Sequence, residues 1–266
     1  MEPENAAIEV ENLECRYGER LVLRDVEFEV QKEEVFVVMG PSGCGKSTLL
    51  KNLVGLEQPV RGDIRFFGRS FLEARQAGRN DMLREIGILY QSGALWSAMT
   101  VGENVALPLR EYTTLPEPDI RRLVTLKLGL VGLAGFEDRA PGELSGGQRK
   151  RAGLARALAL DPALLFFDEP SAGLDPLTSR NLDELILKIR DSLGTTVLVV
   201  SHELDSIHTI ADRVMMLDVN TRTTAAIGPP ADLLESGPAP VREFLTRGGD
   251  LRFRSNQSGK VPKMEI

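Results

Sequence analysis

The chain reads Val35-Phe36-Val37-Val38-Met39-Gly40-Pro41-Ser42-Gly43-Cys44-Gly45-Lys46-Ser47-Thr48 in the segment from which its architecture follows. The first five residues are apolar, which is typical of a strand buried on both faces of a sheet. The next eight, Gly40 to Ser47, match the pattern G-x-x-x-x-G-K-[ST] of a phosphate-binding loop, which joins a strand to a helix. We therefore predict a strand, a glycine-rich loop and then a helix that begins near Lys46.

The loop is predicted to hold the phosphates of a nucleotide. Its three glycines let successive backbone N–H groups point at an anion, and the N-terminus of the following helix adds a partial charge of roughly +0.5. Lys46 is expected to reach the β- and γ-phosphates, and the Ser47 hydroxyl to ligate Mg²⁺. Cys44 is interpreted as a spacer, although a thiol at a helix N-terminus is expected to have a lowered pKa and to be open to modification.

A second apolar run, Leu164-Leu-Phe-Phe167, is followed by the carboxylates Asp168 and Glu169. An isolated Asp-Glu pair at a strand end is ordinarily a solvated turn. Here the buried strand before the pair and Pro170-Ser-Ala-Gly-Leu-Asp175 after it favour a site. Asp168 suits a contact to Mg²⁺, and Glu169 is placed to orient and deprotonate an attacking water.

A second glycine-rich loop, Leu144-Ser145-Gly146-Gly147-Gln148, is predicted to open a different helix that continues through Leu154. Two phosphate-type loops on one chain make sense if each nucleotide is held by one loop from each of two chains. The basic run 149–151 that follows is interpreted as a solvated helix face rather than a nucleic-acid site.

Together these motifs resemble the ATP-binding cassette (ABC) family over nearly the whole chain. The resemblance implies an α/β fold: a P-loop NTPase core of the RecA-like type with an antiparallel β-subdomain and an inserted α-helical subdomain. It implies an ATPase with ATP and Mg²⁺ as cofactors. It also implies a head-to-tail dimer in which ATP lies between the first loop of one chain and the second loop of the other.

The resemblance also implies roles for residues outside the first loop. His202 follows the apolar run 196–200 and matches the switch histidine that senses the γ-phosphate. Gln91 matches a glutamine that contacts Mg²⁺ and water, and Tyr17 an aromatic that stacks on adenine. Asp175 lies in the loop that matches the dimer seam, and Ser145–Gln148 match the contacts to the partner's γ-phosphate. The implied catalytic residues are Glu169, His202, Lys46 and Gln91; the implied metal ligands are Ser47, Gln91 and Asp168.

Each of these matches has an ordinary alternative. A histidine after a strand is often a capping or surface residue. A glutamine that ends a strand usually has no role beyond that position. A tyrosine near a turn is usually a half-buried surface residue. His208, the other histidine, is assigned no role.

The organisation along the chain follows from the change in periodicity. Residues 6–245 are predicted to form one ABC nucleotide-binding domain, with the β-subdomain and RecA-like core at about 6–92 and 161–230. Residues of about 93–160, with apolar positions at helix spacing, are predicted to form the helical subdomain. Residues 246–266 are polar and glycine-rich, and are interpreted either as a disordered tail or as a segment that wraps a partner.

The segment 91–111, Gln-Ser-Gly-Ala-Leu-Trp-Ser-Ala-Met-Thr-Val-Gly-Glu-Asn-Val-Ala-Leu-Pro-Leu-Arg-Glu, resembles the ATPase of Mce- or Mla-type lipid transporters. This implies a phospholipid or other lipid as cargo, separate permease subunits in the membrane, and a peripheral location at the cytoplasmic face of the inner membrane. A small auxiliary cytosolic subunit and periplasmic lipid-binding subunits are further expected partners. The alternatives are a polar-solute importer, a lipoprotein-release system, or an ABC ATPase without a transport role.

Composition is compatible with this interpretation. The chain has 266 residues, 42% hydrophobic and 27% charged, as expected of a folded globular protein. A net charge of −7 argues against a nucleic-acid-binding surface. Two distant cysteines, Cys15 and Cys44, indicate neither a disulfide framework nor a zinc site, and no apolar run approaches the ~20 residues that span a bilayer.

Trp96 is the only tryptophan of the chain. It lies five residues after Gln91 in an apolar segment, and two interpretations are open. It is either an ordinary core residue of the helical region, or an aromatic anchor in a groove that receives a cytosolic helix of the permease.

Overall fold

The structure is a computed structural model that describes residues 6–247 as alternating strands and helices. In chain order the elements are β1 (Ala6–Tyr17), β2 (Arg20–Gln31), β3 (Val35–Met39), α1 (Lys46–Leu53), β4 (Arg61–Phe66), β5 (Arg69–Ser70), α2 (Gln76–Arg84), β6 (Ile86–Leu89), α3 (Val101–Tyr112), α4 (Glu117–Leu130), α5 (Gly146–Ala157), β7 (Leu164–Asp168), α6 (Pro176–Leu193), β8 (Thr196–Val200), α7 (Leu204–Ile210), β9 (Arg213–Leu217), β10 (Thr224–Gly228), α8 (Pro230–Ser236) and α9 (Ala239–Arg247). A short 3-10 turn, Pro141–Glu143, precedes α5. None of the helices within 6–247 combines the length and the apolar character needed to cross a bilayer.

The larger sheet has six strands in the order β10-β9-β3-β8-β7-β6. The five strands from β9 to β6 run parallel, and β10 pairs antiparallel with β9 at one edge. The strand predicted at 35–39 is β3, in the interior of this sheet, and the helix after it begins at Lys46 as predicted. A continuous apolar run is what a strand needs when both faces of its sheet are covered.

Two hydrophobic cores lie on the two faces of this sheet. In β3, Val35, Val37 and Met39 point into one core, which also receives apolar residues of α3 to α7 and α9. Phe36 and Val38 point into the other core, which is shared with α1 and the smaller sheet. The period-2 alternation of a strand thus distributes a uniformly apolar sequence between two layers.

The smaller sheet is antiparallel, in the order β2-β1-β4-β5. Its two long strands, β1 and β2, extend well beyond the short runs 8–10 and 26–30 that the alternation pattern indicates. Register irregularities interrupt their pairing at several points, which shifts the alternation of apolar residues and hides the full length of the strands. Tyr17 is the last residue of β1, at the hairpin that joins the two strands.

Three helices, α3, α4 and α5, pack on one another within the segment 93–160. Helix α4 buries Ile120, Val124 and Leu128, which lie at helix spacing within the segment of about 93–160 that is predicted to be helical. Helix α2 has no counterpart among the predicted elements, because it buries a single apolar residue, Met82, and has no periodic pattern to detect. The division into core, β-subdomain and helical subdomain remains a prediction.

The last described element, α9, runs two residues into the segment 246–266 that was predicted as a tail. The rest of that segment lies outside the described residues. His208, on α7, contacts the end of α9 through its ring Nε2, 3.3 Å from the carbonyl oxygen of Leu245.

Candidate functional site

A cavity of about 550 Å³ opens at the carboxyl ends of the parallel strands. Its walls come from the segments that follow β3, β6, β7 and β8, together with the end of the β1–β2 hairpin. The lining residues are Tyr17, Arg20, Val22, Gly40, Ser42, Gly43, Gly45, Lys46, Ser47, Thr48, Gln91, Glu169 and His202. Ligands gather at this edge of open α/β sheets, so the cavity lies where the sequence motifs were expected to meet.

The glycine-rich loop needs glycine at two positions for steric reasons. Gly40 has φ 145°, and a Cβ there would lie 2.6 Å from the carbonyl oxygen of Leu217. Gly45 has φ 108°, and a Cβ there would lie 2.7 Å from Cδ2 of Leu23. A side chain at either position would force the loop away from the sheet, and with it the backbone N–H groups that line the cavity.

Lys46 is buried at the start of α1. Its Nζ donates to the carbonyl oxygens of Gly40, at 2.7 Å, and Pro41, at 3.2 Å. Because an ammonium group has three donors, Lys46 is able to bind an anion without releasing both carbonyls. These bonds hold the cation inside the curve of the loop, in the wall of the cavity.

Two loop residues, Pro41 and Cys44, do not line the cavity. The expectation that the Cys44 thiol has a lowered pKa is wrong. Cys44 is buried, and burial raises the pKa of the thiol above its usual value, with the charge of Lys46 opposing only part of the effect. Desolvation outweighs the helix N-terminus here, so Cys44 is an inert packing residue.

Glu169 and His202, which both line the cavity, form a polar contact with each other. The His202 ring Nδ1 lies 2.8 Å from Glu169 Oε1. The other carboxylate oxygen, Oε2, is buried and has no hydrogen-bond partner in the described part of the chain. One oxygen of this carboxylate is therefore oriented by a histidine, and the other is left as an acceptor.

The backbone at Glu169 is strained. Its φ is 47°, the left-handed region, which costs a non-glycine residue about 1–3 kcal/mol and is common at functional sites. The Glu169 N–H donates to the carbonyl oxygen of Val200 at 2.9 Å, which fixes the turn to the neighbouring strand. Glu169 follows β7 directly and lies in the wall of the cavity.

Asp168 is the last residue of β7, as predicted, and it is partly buried beneath the cavity rather than in its wall. Burial raises the pKa of its carboxyl, and the charge of Glu169 raises it further. The nearby charges of Lys46 and Lys51 act in the opposite direction. An additional cation at this place would therefore favour the ionised form of Asp168.

Gln91 and Tyr17 both line the cavity, as predicted. The loop after Gln91 is fixed to α5, since Arg156 donates to the carbonyl oxygens of Gly93 at 3.0 Å and Ala94 at 2.7 Å. The Tyr17 ring is 47% exposed, and its hydroxyl donates to the carboxylate of Glu57 at 2.8–2.9 Å. Tyr17 therefore lies exposed in the cavity wall, held at the hydroxyl end of its ring.

The second glycine-rich loop lies elsewhere on the surface. Ser145 caps α5: its Oγ accepts from the Gln148 N–H at 3.2 Å, and its own N–H donates to Gln148 Oε1 at 2.9 Å. Asp175 likewise caps α6, accepting from the N–H groups of Leu177 and Thr178 at 3.1 Å each. None of the residues 145–148, nor Asp175, lines the cavity, so the structure does not bring them together with the first glycine-rich loop.

Arg20 and Val22 also lie in the cavity wall, although neither belongs to a sequence motif, and Lys150 differs from its interpretation as part of a solvated face. The basic run 149–151 is not simply a solvated face, because Lys150 is only 5% exposed. A signal was present: Lys150 is three residues after Gly147 and four before Leu154, and both of these are buried on α5. Residues at those spacings share one face of a helix.

Trp96 is not a core residue. Its side chain is 61% exposed, so the first of the two interpretations is wrong. The backbone beneath it is nevertheless fixed by buried Asn104, whose Oδ1 accepts from the Trp96 N–H at 2.7 Å and whose Nδ2 donates to the Trp96 carbonyl at 3.0 Å. The indole of Trp96 is therefore exposed, while its backbone is held in place by Asn104.

Next to the cavity, a buried polar network links the turn after Glu169 to α6 and α7. Ser206 Oγ lies 2.8 Å from Asp183 Oδ2 and 3.3 Å from Ser171 Oγ. Asp183 is 3% exposed, and its Oδ1 has no partner among the described residues. Burial raises the pKa of Asp183 to about 6, with a contribution from the charge of Asp205, while the bond from Ser206 acts to lower it.

The raised pKa of Asp183 predicts a pH-dependent stability. Because the folded state holds the proton more tightly than the ordinary value of 3.8, stability is greatest below pH 4 for this group and is lost as the pH rises through about 6. Asp183→Asn removes the effect, so the free energy of unfolding of this variant relative to wild type should rise by about 2 kcal/mol between pH 4 and pH 7. Urea unfolding across this range measures it, with exposed Asp232→Asn as control; an offset that stays constant with pH would contradict the expectation.

Comparison with known proteins agrees with this geometry. A family model described as ABC transporter matches residues 23–172. The "Probable ribonucleotide transport ATP-binding protein mkl" of Mycobacterium leprae is 42% identical over 243 residues, which is 91% of this chain and 70% of that protein. The "Intermembrane phospholipid transport system ATP-binding protein MlaF" of Haemophilus influenzae is 39% identical over 249 residues, which is 93% of this chain and 94% of that protein.

Solved structures support the same conclusion. CbiO1 from Clostridium perfringens, described as part of the ABC transporter complex cbiONQ, superposes with a TM-score of 0.79 at 28% identity, over 92% of this chain and 96% of that one. The dimeric structure of MJ0796, a bacterial ABC transporter cassette, gives 0.76 at 28% identity, over 84% of this chain and 98% of that one. The predicted fold class and family resemblance are confirmed. The chain therefore belongs to the ABC transporter family, as an ATP-binding protein and an ATPase.

Proposed function

We propose that this chain is the ATP-hydrolysing subunit of a transporter that moves phospholipids or similar lipids across the cell envelope. The observation that carries the proposal is the match to MlaF, a phospholipid transport ATP-binding protein, which extends over 93% of this chain and 94% of that relative. An alignment over almost the full length of both proteins includes the segment 91–111, in addition to the motifs common to all ABC ATPases.

The cavity is proposed to bind ATP through the glycine-rich loop. The N–H groups of residues 42–48 and the N-terminus of α1 would surround the phosphates, with Lys46 against the β- and γ-phosphates. Tyr17, at the mouth of the cavity, would stack on adenine. The volume of about 550 Å³ supports this, since small-molecule sites commonly measure 300–1,000 Å³.

Mg²⁺ is proposed as the second cofactor, and the residues present fit it. The Ser47 hydroxyl, the Gln91 amide oxygen and the Asp168 carboxylate are the oxygen donors that this ion prefers. Within residues 6–247 no group of three or more histidine, cysteine or acidic side chains is arranged to hold a metal. Mg²⁺ is usually bound through one or two carboxylates plus substrate phosphates, and Asp168 would supply one carboxylate. When bound, the ion would offset charge on the phosphates during hydrolysis.

Glu169 is proposed as the general base. Its carboxylate would accept a proton from the attacking water, while His202 orients it through Oε1. His202, whose side chain is the more exposed of the Glu169–His202 pair, would also sense the γ-phosphate.

The working unit is proposed to be a head-to-tail dimer of this chain beneath separate permease subunits, at the cytoplasmic face of the inner membrane. The separation of residues 145–148 and Asp175 from the chain's own cavity supports a site shared between two copies. The dimeric MJ0796 cassette and the cbiONQ complex, both from proteins 28% identical to this chain, support these two kinds of partner. An auxiliary cytosolic subunit and periplasmic lipid-binding subunits are further proposed partners.

A polar-solute importer is the second candidate, and a specific observation favours it. The mycobacterial relatives, named for ribonucleotide transport, are slightly more similar to this chain at 42% identity. Those matches cover only 67–70% of the relatives, whereas MlaF is matched over 88–94% of its length. Lipid transport is therefore the better supported of the two.

The lipid proposal is tested by purifying the protein from detergent-solubilised native membranes and identifying what copurifies by mass spectrometry. We expect a multi-span permease and a bound phospholipid or related lipid, with lipid release that depends on ATP. The matched control is the same purification from cells that carry Lys46→Ala, where lipid should remain bound when ATP is added. A permease that brings down a polar solute and no lipid would favour the second candidate.

Trp96 is proposed to anchor the permease. Because the indole is exposed and its backbone is fixed, Trp96→Ala should leave the unfolding free energy within about 0.5 kcal/mol of wild type. Permease binding should nevertheless weaken by ~2 kcal/mol or more, about 30-fold in Kd. Leu193→Ala, which truncates an exposed apolar side chain at the end of α6, is the control and should leave binding unchanged. Normal permease binding by folded Trp96→Ala would reject the anchor.

A further inference from the structure

Lys150 is a buried cation that the assigned motifs do not use. It lies in the second turn of α5, the helix that begins directly after Ser145. Burial lowers the pKa of its ammonium group, and the charges of Glu169 and Glu203 oppose that effect. A lysine is rarely buried unless its charge is compensated, so its partners indicate its purpose.

Those partners are all backbone carbonyls of one turn. Lys150 Nζ donates to the carbonyl oxygens of Pro170, at 2.5 Å, and Ala172, at 2.6 Å, and lies 3.5 Å from that of Glu169. The turn also closes on itself, since the Ala172 N–H donates to the Glu169 carbonyl at 3.2 Å. The three donors of the ammonium thus point at three carbonyls of four consecutive residues.

This turn begins at the residue whose backbone is strained. Glu169 has φ 47°, a conformation that a non-glycine residue keeps only when its surroundings impose it. The carbonyls that Lys150 gathers belong to that residue and to the residues directly after it. Without the cation, three carbonyl dipoles would converge on a space from which water is largely excluded, and the turn would relax.

Helix α5 also contacts the loop after Gln91, which is another segment that lines the cavity. Gly153 lies so close to the loop after Gln91 that a Cβ there would be 2.8 Å from the carbonyl oxygen of Gly93. Arg156 binds the carbonyls of Gly93 and Ala94. One face of α5 therefore contacts two of the segments that line the chain's own cavity.

We propose that Lys150 is a positioning residue for hydrolysis: its ammonium holds the turn 169–172 so that the Glu169 carboxylate faces the attacking water. Lys150 thereby links α5, whose N-terminal loop serves the partner's nucleotide, to the general base of the chain's own nucleotide. A shift of α5 is transmitted to Glu169 through the three carbonyls. The inference rests on the proposed role of Glu169 as the base.

Lys150→Met tests the proposal, because methionine keeps an unbranched chain in the buried space and removes the ammonium. We expect kcat for ATP hydrolysis by the full-length protein to fall roughly 10–100-fold, with KM for ATP changed less than about twofold. The cavity walls that bind ATP are untouched, so the loss should be confined to kcat. Lys150→Arg, which keeps a cation able to reach the carbonyls, should recover a large part of kcat.

Lys127→Met is the matched control. Lys127 is also a buried lysine, 2% exposed, but it pairs with Asp161 away from the cavity. This variant should lose stability by thermal unfolding while the folded protein keeps the wild-type kcat. An equal fall of kcat in both variants would mean that loss of any buried lysine slows the enzyme, and would overturn the proposal.

A second comparison uses Glu169→Gln as background. If Lys150 acts only through Glu169, then Lys150→Met should reduce single-turnover hydrolysis by less than about twofold once the carboxylate is gone. Losses that multiply in the double variant, or a raised KM with an unchanged kcat, would overturn the positioning role. If Lys150→Met does not fold, Lys150→Arg takes its place. The ratio of its single-turnover hydrolysis rate to that of its parent, measured with wild-type Glu169 and with Glu169→Gln, decides the same question.

The two proposals fail in different ways. Wild-type turnover in Glu169→Gln alone would reject Glu169 as the base, whatever the effect of Lys150→Met. A large loss in Glu169→Gln together with normal kcat in folded Lys150→Met would reject only the positioning role of Lys150.

Discussion

Glu169→Gln is expected to slow ATP hydrolysis by roughly 10²–10⁴-fold while leaving ATP binding intact. Glutamine has nearly the same shape as glutamate and can still hydrogen-bond to His202 through its amide. It cannot take a proton from water, so the chemical step alone is lost. Steady-state turnover and equilibrium binding of a fluorescent ATP analogue, measured on one preparation, separate these two quantities.

The same variant should accumulate as an ATP-bound dimer, because a closed composite site that cannot hydrolyse its nucleotide cannot reset. Lys46→Ala should behave differently and weaken nucleotide binding itself, since it removes the charge that meets the phosphates. Glu203→Gln is a close control, because its carboxylate lies 3.8 Å from the other ring nitrogen of His202. It should keep turnover within about threefold of wild type. Near wild-type turnover in Glu169→Gln would remove Glu169 from the mechanism.

The parts of the fold that the sequence predicts are those with a local cause. The strand 35–39 and the start of α1 at Lys46 follow from an apolar run and a glycine pattern within fourteen residues. The position of Asp168 at the end of β7, and of His202 after β8, follows equally from continuous apolar runs. In a parallel sheet the carboxyl ends of such strands share one edge, so the meeting of Glu169 and His202 was predictable without coordinates.

The parts that were not predicted depend on contacts between distant segments. Helix α2 carries little apolar periodicity, and β1 and β2 are longer than their pattern indicates because irregular pairing shifts it. The burial of Lys150 depends on the turn that packs over it, 20 residues later in the chain. A large aromatic residue in an apolar segment is ordinarily buried, but Trp96 is exposed. Its backbone is held by Asn104, and its ring lies outside the core. The raised pKa of the Cys44 thiol has the same origin, since burial cannot be read from the loop alone.

A heterodimer should retain one complete nucleotide site when Lys46→Ala is on one chain and Ser145→Arg is on the other. In a head-to-tail dimer, each ATP is held by the glycine-rich loop of one chain and by residues 145–148 of its partner. The two substitutions then damage the same composite site and spare the second one. When both are on one chain opposite a wild-type partner, each composite site is damaged once, and no complete site remains.

The two arrangements contain the same substitutions and are each other's control. Ser145→Arg removes the cap of α5, which costs about 1 kcal/mol, but that cost is present equally in both. A difference between them therefore reports which loops face each other rather than how well each chain folds. With two affinity tags to isolate the mixed dimer and Glu169→Gln on both chains to trap nucleotide, the first arrangement should hold ATP and remain dimeric. The second should dissociate. Equal dimer populations in the two arrangements would contradict a site built from two chains, and would leave residues 145–148 with only the capping role seen within one chain.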